Sequence, residues 1–460
     1  MKLSRVVWLC LLSLPSAGYA QPISFTDAWQ QVLKVSDKLQ AQSQEVNRAK
    51  GEQEAGESLN FPSLDIRGNY IHLDKPIEFD LKELNSVISI PPSLGGIIAG
   101  IPPLPLSEQD IFSASLQAMW PIYTGGQITA AQGIHAAMVA EKQQELQLAT
   151  RDLFTLLVDR YYAVDVTLAL VNTQTDLVGS LAKHVDHALA LEREGQIAKV
   201  ERLNAQVALD NAKVNLGSAR RQHEMAVIAL ARMLQQSQVS TNSSLFVLPQ
   251  APSFAQLSQI TLSQHPAIKL LEAKETQANG LIALEKGKYH PTVFLFGNYT
   301  LYEEDTLLTS ITPDWMVGVG VNVPLISRDG RSGKVEAAKS ALLQARYTKA
   351  QTKQDLSLLV DQSYRQLLQA EEEVTALDTS LELAIENLRL RDIAFNQGLS
   401  TSIDRVDAEL KLSAVKTQQL AARYRYVQAY ARLMAISGQL DEFIGRTIGR
   451  TQEQETNNAR

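Results

Sequence analysis

Cysteine is almost missing from this 460-residue chain: the only one is Cys10. Cys10 lies in a short leader. Lys2 and Arg5 precede the apolar run 6–14, and the small-residue segment Gly18-Tyr19-Ala20 precedes Gln21. That pattern predicts a secretory signal over 1–20, and a nine-residue run is too short to span a bilayer. The mature chain would then hold no disulfide, cysteine nucleophile or zinc-thiolate site. Gln21 in place of a cysteine after the predicted cleavage point argues against a lipid-anchored N-terminus. Basic excess is also lacking. The formal charge is −7, or −9 without Lys2 and Arg5, and nothing suggests nucleic acid as a partner. After the leader no apolar run reaches about 18 residues, so no transmembrane helix is predicted. A membrane span would have to be a closed β-barrel.

Helix breakers are missing from two long stretches. Residues 127–194 contain no proline and only Gly133 and Gly179, and residues 331–397 contain no proline and only Gly333. Each stretch would run roughly 100 Å as an unbroken helix. Stripes such as Leu153, Leu156, Leu157, Tyr161 and Leu356, Leu359, Val360, Tyr364 recur at helical spacing. Shorter helices are predicted at 199–235 and 402–437, and others near 25–59 and 254–287, which suits antiparallel coiled-coil packing.

What the chain does contain, it contains twice. Residues 60–70 read NFPSLDIRGNY and residues 289–299 read YHPTVFLFGNY, a Pro-x5-Gly-Asn-Tyr pattern repeated at a shift of 229. Further on the shift is 203, where EGQIAKVERLNAQ (194–206) lies over QGLSTSIDRVDAE (397–409). Each copy reads helix, strand, strand, long helix, turn, helix. The first repeat covers 21–240 and the second 241–440, followed by a tail, 441–460.

The strands are predicted near 62–72, 111–122, 291–302 and 314–324. Phe112, Ala114, Leu116, Ala118, Trp120 and Ile122 share one face, and Trp315, Val317, Val319, Val321 and Val323 share another. Such alternation fits a soluble half-buried sheet or an outer-membrane barrel, apolar outside and polar inside. The leader and the missing cysteine favour the barrel. Four strands cannot close one, since the smallest have about 8, so three chains would supply twelve. Tyr70 and Pro121 are 51 positions apart but Tyr299 and Pro324 only 25. The extra length, rich in Pro and Gly over 85–107, is either an outer loop or a poorly ordered surface insertion.

The strand starts at Pro62 and Pro291, with Gly68 and Gly297 inside the strands, carry a resemblance. So do the corners Pro121–Gly126 and Pro324–Gly330. The most specific segment is Phe395-x-x-Gly398-Leu399-Ser400-x-x-x-Asp404-x-x-Asp407-Ala408. Together they resemble the TolC-like outer-membrane efflux family across residues 21–460. The resemblance implies a mixed α/β membrane protein: a homotrimer whose twelve-stranded barrel continues into a long α-helical coiled-coil periplasmic tunnel. It implies an exit duct for efflux or type I secretion, with no enzymatic activity, cofactor or metal. The partners it implies are outer-membrane lipid, a periplasmic adaptor and an inner-membrane RND, ABC or MFS pump. Asp404 and Asp407 would ring the closed periplasmic entrance, where six carboxylates would favour cations and repel one another toward raised pKa values. The alternative is a helix cap with Asp404 complementing the dipole. Gly398, Leu399 and Ser400, with Gly195 in the first repeat, resemble the turns that meet an adaptor, or are plain glycine turns.

Two departures stand out. Phe395 and Ser400 occupy places where the family often uses tyrosine and arginine to lock the entrance, and Glu201 and Asn204 replace the aspartates in the first repeat. His184 and His187, three apart, read as exposed solvated residues rather than a metal pair. Asp329–Lys334 superficially resembles a phosphate loop but lacks its first glycine. The competing class is a periplasmic coiled-coil structural or adaptor protein with no pore.

Overall fold

The computed structural model describes residues 22–81, 91, 97, 100–303 and 312–447. The predicted leader and most of the 85–107 loop lie outside them. Two structural units are formed. One contains residues 143–270 with the flanking segments up to 45 and from 349 onward; the other contains 46–142 and 271–348. The helices are α1 (Phe25–Val35), α2 (Asp37–Glu57), α3 (Gln127–Arg193), α4 (Lys199–Leu234), α5 (Phe254–Gln264), α6 (Pro266–Gly287), α7 (Arg331–Asn396) and α8 (Ser402–Ser437). The strands are β1 (Ser63–His72), β2 (Glu78–Phe79), β3 (Leu104–Pro105), β4 (Asp110–Tyr123), β5 (Thr292–Glu303) and β6 (Trp315–Asn322). Among the described residues no helix is long and apolar enough to cross a membrane.

The sheet unit is a four-stranded antiparallel sheet in the order β1-β4-β5-β6. Cross-strand neighbours in an antiparallel ladder share a face, so the register sorts the side chains. Ile66 sits opposite Leu116 and Tyr70 opposite Phe112. Leu116 meets Tyr299 and Trp120 meets Leu295, and Leu295 meets Val319 while Tyr299 meets Trp315. One face is therefore apolar across all four strands, with Tyr70, Phe112, Tyr299 and Trp315 in a belt toward one end. The other face carries Asp65, Arg67, Ser115, Gln117, Asn298 and Thr300. Phe294 and Phe296 also lie on that face, over Gly320 and Gly318, which have no side chain to obstruct the rings. Pro62 and Pro291 stand just before β1 and β5. Pro121 lies opposite Phe294, at a register shift just before the last β4–β5 pair, Tyr123 with Val293. Gly68 and Gly297 pair with Ala114 and Ala118 and have room for a methyl group. The short β2–β3 ladder closes the base of the 85–107 loop.

In the helical unit the core is aromatic. Phe25 contacts Phe154, Tyr161, Tyr162 and Phe443, at centroid distances of 5.3–5.9 Å. The Tyr161 hydroxyl donates to the Ile23 carbonyl at 2.7 Å and accepts from the Ser243 amide at 3.0 Å, tying the first segment to the stretch after α4. Two features differ from the sequence reading. The helices predicted near 25–59 and 254–287 are broken at Ser36 and His265, which are equivalent under the 229-residue shift. Pro266 disfavours helical backbone at His265, which is extended at ψ 132°, and Ser36 is likewise extended at ψ 108°. Residues 440–447, which run into the segment 441–460 expected as a tail, are helical, and Phe443 is fully buried against Tyr430.

Candidate functional site

The α3–α4 and α7–α8 turns are built alike. Gly195 and Gly398 have φ of +71° and +73°, a left-handed conformation that strains other side chains. Each ends its helix with the same pair of bonds. The Gly195 and Gly398 amides donate to Glu192 and Phe395, and the Gln196 and Leu399 amides reach back five residues to Leu191 and Ala394. This is a Schellman closure, duplicated. It leaves Leu399 78% exposed at the tip.

Beyond the turn the two copies separate. Thr401 caps α8 in a capping box: its hydroxyl accepts from the Asp404 amide at 3.2 Å, and the Asp404 carboxylate accepts from the Thr401 amide at 3.0 Å. The hydroxyls of Thr401 and Ser400 add bonds of 2.8 and 3.1 Å to the same oxygen. These bonds, led by the Thr401 hydroxyl, hold Asp404 below the usual carboxylate range within one chain. Asp407 is exposed one turn further on. In the first copy Ala198 stands at the cap position with no side-chain bond. Glu201, the counterpart of Asp404, instead accepts from the Ser402 amide at 3.0 Å, capping the other copy's helix.

Under these turns lies a buried polar cluster. Arg405 donates through Nε to Asp392 at 2.9 Å and through Nη2 to Ser180 at 3.3 Å, and Nη2 stands 3.6 Å from the buried Glu409. Ser180 donates to Glu409 at 2.6 Å. Arg405 Nη1 is buried without a hydrogen-bond partner. His184 corrects the expectation of a solvated pair: it is only 2% exposed, with Nε2 2.7 Å from the Ser402 hydroxyl. Burial, then the charges of Arg405 and His187, push its pKa down to about 4. Phe395 packs edge-on against both rings, 4.9 Å from His184 and 5.8 Å from His187. Among the described residues no group of three or more His, Cys, Asp or Glu is placed to hold a metal ion.

The sequence reading missed Arg405, Asp392, Glu409, Ser180 and the capping use of Glu201. One signal was present: Arg405 lies over Arg202 in the duplicated segment, and Arg202 also pairs with an acid on the preceding long helix, Glu192.

The fold is that of outer-membrane channel proteins. The chain is similar to the CmeC outer membrane channel of Campylobacter jejuni, with a TM-score of 0.73, 14% identity, and 90% of this chain and 86% of that one covered. By sequence, residues 28–235 and 257–439 match the outer membrane efflux protein family. The chain belongs to that family, whose members are outer-membrane proteins. It is 25% identical to the outer membrane efflux protein BepC of Brucella suis biovar 1 over 248 residues, 53% of this chain and 52% of that one. It is also 25% identical to nodulation protein T of Rhizobium leguminosarum bv. trifolii over 181 residues, 38% and 37% of the two chains. The matched stretches thus span about half or less of these relatives' lengths.

Proposed function

We propose that three copies of the chain form a passive outer-membrane exit duct. The observation that carries this reading is the sheet. Its edge strands β1 and β6 have no partner strand among the described residues, and one of its faces is apolar except for His72 and Asp110 at one end. Unpaired edges are costly in lipid unless the sheet closes, and an exposed apolar face is costly in water but not in lipid. Four antiparallel strands leave β1 and β6 running in opposite directions, so β6 of one copy can pair antiparallel with β1 of the next. Three copies give twelve strands with the apolar face toward lipid and the polar face toward the lumen, and their long helices supply the tunnel. The same face weighs against the alternative, a poreless periplasmic coiled-coil protein.

The chain without its leader has no cysteine, so paired substitutions test the edges cleanly. Leu64→Cys, Ile66→Cys or Tyr70→Cys is combined with Val317→Cys, Val319→Cys or Val321→Cys. At least one pair is expected to give a covalent trimer on oxidation in outer-membrane fractions. Monomers from every pair would defeat the reading.

At the helical turns, Asp404 and Asp407 are proposed to line the narrow entrance, six carboxylates in a trimer. Support comes from their position one turn apart at the start of α8, Asp407 being exposed there. Asp404→Asn with Asp407→Asn is expected to weaken block of single-channel current by divalent cations; unchanged block would refute the ring. Gly195, Gly398, Leu399 and Ser400 form the tips proposed to meet a periplasmic adaptor, itself serving an inner-membrane pump of the RND, ABC or MFS class. A photo-crosslinker at Leu399 should capture that adaptor in cells, and capture of none would remove the assignment.

A further inference from the structure

The corner between β6 and α7 has a composition that a solvated turn does not need. Leu325 and Ile326 are 87% and 97% exposed, more than any other large apolar residue described. Two adjacent aliphatic side chains so fully exposed mark a surface that something covers. They extend the outward stripe Val317, Val319, Val321 and Val323 past the end of the strand.

Cations gather at the same corner. Arg328, two residues past Ile326, and Lys334, in the first turn of α7, are exposed. Arg331 donates to the Pro324 carbonyl at 3.2 Å and stands 5.4 Å from the Tyr289 ring centre, bracing the turn. Lys288, just past the end of α6, pairs with Glu285 at 2.7 Å and adds to the group. Lys334, Arg331 and Lys288 all act on Asp329, whose carboxyl is held low first by the Ser327 hydroxyl. The first-repeat corner, 121–127, reads PIYTGGQ and has no cation. In an acidic, duplicated chain this basic cluster therefore belongs to one copy only.

An apolar surface that turns cationic at its margin matches the edge of a bilayer, where acyl chains give way to phosphate. We propose that the β6–α7 corner binds an anionic phospholipid of the periplasmic leaflet. Leu325 and Ile326 enter the acyl layer, while Arg328, Lys334 and Lys288 meet the headgroup phosphate. The inference rests on the reading that the sheet's apolar face meets lipid.

Native mass spectrometry of the full-length trimer, released from vesicles containing equal phosphatidylcholine and phosphatidylglycerol, tests it. Wild type is expected to retain phosphatidylglycerol in preference. Arg328→Gln with Lys334→Gln should lower that retention by about fivefold per charge removed, leaving phosphatidylcholine unchanged. Leu325→Ser with Ile326→Ser should lower retention of both lipids with the trimer intact. Equal phosphatidylglycerol retention by wild type and the Gln pair would overturn the site. So would a Ser pair whose trimer falls apart equally with and without lipid, because a neighbouring copy would then cover the corner. Failure of the wild type to form a trimer at all would instead defeat the underlying channel reading, and this proposal with it.

Discussion

Replacing Arg405 with Met should loosen the start of α8 without emptying the site, because Met roughly matches the buried stem. Arg405 and Glu409 are 11% and 9% exposed at their side chains, whereas Asp392 is 48% exposed. The bond to half-exposed Asp392 is worth about 1 kcal/mol or less after solvent screening. Glu409 is different. Without Arg405 it keeps the Ser180 hydroxyl but no counter-charge, and stranding a buried charge costs about 3–5 kcal/mol. Allowing for the surviving Ser180 bond, we expect a loss near the lower figure, about 3 kcal/mol. At about 1.4 kcal/mol per tenfold, amides in residues 402–409 should exchange hydrogen roughly a hundredfold faster, provided they open locally. Hydrogen exchange read by mass spectrometry on the full chain measures this directly. Glu409→Gln added to Arg405→Met should recover much of the protection, because the stranded charge is gone. Exchange within threefold of wild type in the single variant, or no recovery in the double, would refute the reasoning.

Two further outcomes are expected. Gly320→Ala would place a methyl carbon 2.4 Å from the tip of the Phe294 ring, an overpacking worth about 1–3 kcal/mol; heat-modifiable migration should show a less resistant assembly, and Phe294→Ala in the same chain should restore it. The His184 pKa, lowered to about 4 from an ordinary 6.5, means that the unfolded turn takes up a proton that the folded turn refuses. Its contribution is full above about pH 6.5 and is lost as pH falls toward 4, on the order of 3 kcal/mol at 1.36 kcal/mol per unit. Exchange in 402–409, corrected for the intrinsic rate, should rise across that window in wild type and rise less in His184→Gln; parallel profiles would count against a buried neutral His184.

What was legible in the sequence follows the range of the interactions. Strand faces could be read because alternation is local, and the duplicated glycine turns because a left-handed residue needs glycine wherever it stands. The break at His265, absent from the helix expected over 254–287, has an equally local cause in Pro266. The polar cluster was not legible. Arg405 reaches Ser180 across 225 positions and His184 reaches Ser402 across 218, and no periodicity links helices that far apart. The capping role of Glu201 is equally hidden, because its partner amide, Ser402, lies in the other repeat. Phe443 falls within the segment 441–460 expected as a tail; a lone aromatic beyond a glycine gives no pattern, whereas four ring contacts hold it in the core.

If the sheet closes only between copies, the chain makes a pore only as three copies. Single-channel recording in planar bilayers, on protein whose native mass has been measured in the same preparation, tests it most directly. A mass of three chains and discrete current steps are expected, with the separated monomer electrically silent. A monomer that conducts, or a trimer that never does, would contradict it.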